Sequence, residues 1–330
     1  MGEKQIAECY MVLGGVPFYL SKMEKGEGVA QNIDRLLFAE DGELHDEFKS
    51  LYNSLYKNAA KHIKIVTALA AKGKGLTRQE IIGLTKLPDN GKFSLMMEEL
   101  ESCGFIRSYA PFTVEKRSSK GEDERQSPDT LYQLVDPFTL FHFQVMKKAG
   151  TRDAHFWTNS QNWLRLPPSR LGQTCEHDGS RCSVGSHMFS TWSGLAFEKL
   201  CLNHEEQIRA ALGVSGVSAE VFSWFSKAKE KAPKARGAQI DMLIDRADKT
   251  INVCEMKFLD EPSGGAERWS TPYSMSAKDE EDIERRVSAL RRETGTDKQV
   301  IVTLITTKGL VRNEHSEGVQ KVVLLENLFS

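Results

Sequence analysis

The sequence predicts an α+β protein of several domains, and three observations predict it. Apolar residues recur at helical spacing through residues 59–71, a capped second helix follows, and the back third alternates with period two in paired runs. A chain of 330 residues has room for two or three such units, each able to bury a core.

Taken in order, the unit from 58 to 150 begins with a helix through Ala59 to Ala71, with Ile63, Val66, Leu69 and Ala70 on its buried stripe. Gly73 and Gly75 end it. Thr77-Arg-Gln-Glu80 is a capping box that starts a second helix through Ile81 to Thr85. After Pro88-Asp-Asn90-Gly91, a third helix carries Phe93, Met96, Met97 and Leu100 and stops at Gly104. A hairpin follows, with a polar tip from Lys116 to Pro128 and a return strand from Leu131 to Val135. This order is that of a winged helix-turn-helix.

In a DNA-reading winged helix, the third helix enters the major groove and the wing touches the backbone, so both are expected to be basic. Here Lys92 is the candidate contact, but Glu98, Glu99 and Glu101 share its helix, and the wing mixes both signs. A DNA-contacting module and a protein-contacting spacer both remain open.

Residues 151–188 are expected to be a linker, with Trp157 and Trp163 anchoring it to the preceding unit and a Gly, Ser and Pro-rich stretch from Pro167 to Ser186. Cys175, His177, Cys182 and His187 lie inside it. Two Cys and two His can hold zinc, yet these spacings match no familiar finger, and the linker role accounts for the composition.

The unit from 189 to 330 opens with a helical segment, Trp192 to His204, that carries Glu198. A strand from Val217 to Phe225 comes next, then two alternating runs, Gly237 to Asp245 and Thr250 to Lys257, joined by the polar Arg246-Ala-Asp-Lys249. A charged helix from about Asp279 to Glu293 and apolar strands at Val300 to Thr306 and Val322 to Leu325 complete it. Asp245 is expected to pair with Arg246 or Lys249 near the turn.

Period two puts Gln239, Asp241 and Leu243 on one face of the first run, and Glu255 and Lys257 on one face of the second. Pairing the runs brings Asp241, Glu255 and Lys257 to one end of the sheet. Two hard carboxylates suit Mg²⁺ or Mn²⁺, and a lysine beside them can orient water or stabilise charge developing on a phosphate. Glu198 offers a third acid. A nuclease site is one outcome; a Lys-Glu ion pair that stabilises the sheet without catalysis is the other.

With acids on the first helix and middle strands, this helix-βββ-helix-β order resembles the PD-(D/E)xK nuclease superfamily, the restriction-endonuclease-like fold. Trp192-Ser-Gly-Leu-Ala-Phe-Glu198, Gly237-Ala-Gln-Ile-Asp-Met-Leu-Ile-Asp-Arg246, Ile251-Asn-Val-Cys-Glu-Met-Lys-Phe258 and Leu304-Ile-Thr-Thr-Lys-Gly-Leu310 resemble the C-terminal nuclease-like domain of archaeal-type P-loop AAA+ ATPases, a family also common in bacteria. The resemblance implies a site of Glu198, Asp241, Glu255 and Lys257 with Gln239 beside it, the three acids holding Mg²⁺ or Mn²⁺. Ile240 stands where the superfamily's name has proline. Residues 1–57, with Glu8 to Leu20 and Ala30 to Phe38, resemble the helical lid that follows the nucleotide-binding core in those ATPases. The core itself is expected to be absent from this chain, since no G-x-x-x-x-G-K-[ST] occurs, and Gly73-Lys-Gly-Leu-Thr77 only echoes one. ATP hydrolysis is therefore not expected. The resemblance implies a metal-dependent DNA endonuclease domain, or else an inactive nuclease-like module that binds DNA or protein.

A net charge of -2 and a pI near 6.5 give no general attraction to nucleic acid, so any DNA contact must come from local patches. The most basic is Lys227 to Arg236, in which Lys229, Lys231, Lys234 and Arg236 precede the Asp241 run and could track phosphates; a solvated loop is the plainer role. No stretch approaches a membrane span and no signal segment opens the chain, so a cytoplasmic location is expected. A homo-oligomer is compatible with the sequence. Six cysteines are too sparse for a disulfide scaffold, and Cys103, Cys201 and Cys254 are expected in the core.

Overall fold

A hydrophobic core runs from the first helix to the last turn, so the units anticipated from sequence share one interior. The computed structural model describes residues 2–73, 75–109, 112, 130–149, 154–163, 179–226, 238–258 and 272–329, with 160–163, 179–187 and 190 described by backbone alone. The fold is a mixed α+β arrangement containing a three-stranded sheet and a five-stranded sheet.

The front is helical: α1 (Glu3–Leu13), α2 (Pro17–Ser21), α3 (Val29–Ile33) and α4 (Glu47–Leu55). A π-helical turn, Asp34–Phe38, extends α3. Asp34 is buried there, and its carboxylate accepts hydrogen bonds from the backbone N–H groups of Trp157 (2.7 Å) and Thr158 (2.9 Å).

The next unit is α5 (Ala59–Ala71), β1 (Leu76–Thr77), α6 (Arg78–Thr85), α7 (Gly91–Ser102), β2 (Ile106–Tyr109) and β3 (Leu131–Leu134). Thr77 caps α6 and the Glu80 carboxylate accepts from the Thr77 N–H at 2.8 Å, the reciprocal pair expected of the motif. The Asn90 side chain caps α7 by accepting from Lys92 and Phe93 N–H. The strands form an antiparallel sheet ordered β1-β3-β2. Two-residue β1 is too short to leave an alternation in the sequence. The hairpin tip from Lys116 to Pro128 lies outside the described residues.

Asp136 then caps α8 (Pro137–Phe141), which passes through a π-helical turn, His142–Met146, into α9 (Lys147–Ala149). The expected linker at 151–188 instead contains α10 (Phe156–Trp163) and the start of α11 (Gly179–Asn203). Polar and small residues read as a linker because α10 gains its N-terminal partners from Asp34, far away in sequence. Trp157 is buried against Phe141, Phe189 and Trp192, the anchoring role expected of it; the Trp163 side chain and the Cys175 to His187 cluster fall outside the described side chains.

After α12 (Glu205–Ala211) come β4 (Ala219–Phe225), β5 (Gln239–Arg246), β6 (Thr250–Lys257), β7 (Tyr273–Ser274), α13 (Ala277–Thr294), β8 (Gln299–Thr306), β9 (Leu310–Val311) and β10 (Lys321–Leu324). The large sheet is ordered β10-β8-β6-β5-β4; β4, β5 and β6 are antiparallel neighbours, whereas β6, β8 and β10 run parallel. Alternation divides its faces: Met242, Ile244 and Cys254 join the core that contains Phe197 and Cys201 of α11, while Leu243, Ile251 and Val253 pack with Ala289 and Leu290 of α13.

Two expectations need correction here. Asp245 pairs with Lys298, not with Arg246 or Lys249, because its strand position turns it inward, where it is 6% exposed, and Arg246 is taken by Asp248. Cys103 is exposed, since it follows the last turn of α7, whereas Cys201 and Cys254 are buried as expected.

Candidate functional site

The β5–β6 hairpin places its chemistry where its ladder ends. The last paired residues are Met242 and Cys254, so Asp241 and Glu255 lie one step further out, on strands free to diverge. Parallel pairing with β8 carries Glu255 and Lys257 alongside Leu304 and Thr306. α11 packs against β6 and brings Glu198 to the same end.

Glu198, Gln239, Asp241, Glu255 and Lys257 all line one cleft of about 300 Å³. Gln239 Nε2 donates to Asp241 Oδ1 at 2.7 Å, fixing that carboxylate on the strand. Lys257 Nζ lies 3.1 Å from Glu255 Oε1 and 3.3 Å from Asp279 Oδ1. Arg286 donates to the other Glu255 oxygen, Oε2.

Burial pushes the Glu198 carboxyl well above the usual carboxylate range, and the negative charges of Asp241 and Glu255 add to this. Burial works against the Lys257 ammonium, but the Glu255 and Asp279 carboxylates outweigh it and raise its pKa. Burial likewise opposes ionisation of Asp279, yet hydrogen bonds from Ser276 and Tyr273 and the charge of Lys257 prevail, holding it down at about 2. Lys257 is thus a fixed cation between two carboxylates.

Asp279, Arg285 and Arg286 of α13 belong to this surrounding, although the sequence singles them out only as part of a charged helix. A signal was present: Asp279, Ile283, Arg286 and Leu290 follow at helical spacing, so the buried Ile283 and Leu290 set the two charged residues toward the sheet. Lys92 sits exposed at the start of α7 and is not among the residues lining the cleft. Lys229, Lys231, Lys234 and Arg236 lie outside the described residues.

Among the described residues, no group of three or more His, Cys, Asp or Glu is arranged to hold a metal ion. The donor chemistry nevertheless suits Mg²⁺ or Mn²⁺, with hard carboxylate oxygens from Glu198, Asp241 and Glu255 at one cleft. A divalent cation held among the three would offset the repulsion that Asp241 and Glu255 add to the burial of Glu198. Glu255 is engaged by Arg286 and Lys257, so its use as a ligand requires Arg286 to give way. Among the described residues, no helix is long and apolar enough to cross a membrane.

No protein-family model matches the chain, and no curated protein matches it.

Proposed function

We propose that residues 189–330 form a PD-(D/E)xK-type nuclease-like domain that hydrolyses phosphodiester bonds of DNA with Mg²⁺ or Mn²⁺. Residues 58–150 would be its winged-helix module and residues 1–57 a helical lid that belongs with an ATPase core not contained in this chain. The carrying observation is that three acids, a lysine and a glutamine from α11, β5 and β6 line one cleft.

Asp241, Glu255 and Glu198 would hold the ion, which when bound supplies charge stabilisation at the scissile phosphate and a more acidic water. Gln239 orients the Asp241 carboxylate through its 2.7 Å hydrogen bond. Lys257, kept protonated by Glu255 and Asp279, would stabilise negative charge developing on the phosphate. Arg285 and Arg286 would neutralise the neighbouring phosphates as the strand enters. Product accumulation from labelled DNA in Mn²⁺, absent in EDTA, tests this function.

One observation favours a non-catalytic module that binds DNA or protein. The Arg286 and Lys257 cations already neutralise Glu255, and such a closed ion-pair set is stable without metal. Metal binding separates the two, because an Mg²⁺ or Mn²⁺ site raises the melting temperature by mass action, whereas a closed set does not respond.

A further inference from the structure

The cleft does not end at the acids. A second, wider groove of about 900 Å³ shares Gly73, Leu195 and Glu198 with it and continues over the seam between α5, α9 and α11. Gly73 and Leu195 form the neck between the two, since a Cβ added at Gly73 would come within 2.4 Å of Leu195 Cδ2.

The groove's charge and its walls differ in kind. Lys147 and Lys148, both exposed, line the groove, Arg285 and Arg286 line the near cleft, and among the described residues Glu198 is the one acid lining the groove, at the junction. Its walls are largely apolar, with Ala70 and Ala71 of α5, Phe143, and Leu195 of α11. A duplex presents phosphate and sugar outward and keeps its base faces stacked inside, so it has nothing to offer such walls. A single strand offers both, phosphates for the cations and unstacked base faces for the apolar surface.

We propose that this groove is the path of a single-stranded polynucleotide, which runs from Lys147 and Lys148 past the Gly73–Leu195 neck to the acidic cleft. The inference rests on the nuclease reading of that cleft and gives it a substrate class, a single strand or an unpaired end in place of an intact duplex. Phosphates near α9 would lie on Lys147 and Lys148, the latter ammonium now donating one of its three N–H groups to Gln144 Oε1 at 2.6 Å. The bases would face Ala71 and Leu195. The plainer role of the two lysines is to complement the C-terminal end of a short helix, which requires no ligand.

The test measures binding in EDTA, where no cutting occurs. Fluorescence anisotropy compares labelled oligodeoxythymidylate, oligouridylate and a blunt DNA hairpin duplex on the wild type, on Lys147→Glu/Lys148→Glu, and on the control Lys25→Glu/Lys321→Glu, whose exposed lysines line neither groove. The expected result is single-strand binding about tenfold tighter than duplex binding, weakened about tenfold by the groove variant and not by the control. With two phosphate contacts removed, the slope of log affinity against log salt should fall by about 1.4. Oligodeoxyuridylate beside oligouridylate, which differ only in the 2′-OH, identifies the sugar. Should the groove variant fail to fold, as its melting curve would show, Thr67→Glu on α5 places a negative charge on the groove wall in its stead and is expected to weaken single-strand binding likewise. Equal or tighter duplex binding overturns the proposal, and so does a groove variant that binds as the wild type does. Cleavage is scored separately in Mn²⁺; a chain that binds single strands through these lysines yet cuts nothing loses the nuclease reading and keeps the groove.

Discussion

Asp245 and Lys298 show how far a single ion pair can depend on its partner. Asp245 is buried on β5, and Lys298, just before β8, is its counter-ion across the sheet. Removing one charge leaves the other buried and uncompensated, at a cost of roughly 3 kcal/mol, whereas replacing both with apolar groups costs far less. Urea unfolding should therefore show Lys298→Met to be strongly destabilised and Asp245→Leu/Lys298→Met to recover most of the loss. Neighbouring charges at the turn suggested another partner for Asp245, because sequence shows separation along the chain and not which strand lies beside which. The same limit applies to Arg286. Helical spacing turns it toward the sheet, but its pairing with Glu255 depends on which strand it meets there, which no local pattern encodes. Asp241, Glu255 and Lys257 were legible because period two and a short turn are local and place them together without knowledge of the rest.

Among the elements, α10 owes its position to a residue outside its own neighbourhood. Asp34 accepts from the Trp157 and Thr158 N–H groups, the orphan donors of the first turn of α10. Asp34→Ala should cost about 2 kcal/mol, the upper range for a lost helix cap, because it also strands buried donors. Asp34→Asn, with an amide oxygen still able to accept, should cost less, and chemical denaturation of the two variants reads the difference. That distant cap explains why 156–163 looked like linker. By contrast, α5, α6, α7 and the β5–β6 hairpin carry their own stripes, caps and turn, and their bounds follow closely from residues 59–71, the Thr77–Glu80 box, Asn90 and Lys249, whose φ of 61° closes the hairpin. Strand β1 and the β7–β9 pair are only two residues long and acquire their identity from their partners.

On the scale of the molecule, the boundaries expected at 57, 150 and 188 do not interrupt the core. Trp157 meets Phe141 on one side and Phe189 and Trp192 on the other, with ring centroids 5.2 Å apart in each case. α1 packs on both α8 and α11. A single cooperative unit unfolds in one step whichever probe follows it. Thermal unfolding followed by tryptophan fluorescence and by far-ultraviolet circular dichroism should give coincident transitions; two separated steps would show that the units are independent. The mixed α+β character was legible from the two periodicities alone, while the continuity of the core depends on contacts over more than a hundred residues.

This shared interior holds α11, and with it Glu198, against the end of β6, and the proposed function depends on that arrangement. The most direct test is cleavage of single-stranded and branched DNA in Mn²⁺ by the wild type beside Asp241→Ala and Lys257→Ala. Metal-dependent cutting by the wild type is expected, with a loss of at least about a hundredfold in each variant, since each removes a group that acts on the developing charge. Cutting that survives in either variant, or a wild type that neither cuts DNA nor binds Mn²⁺, would contradict the proposed function.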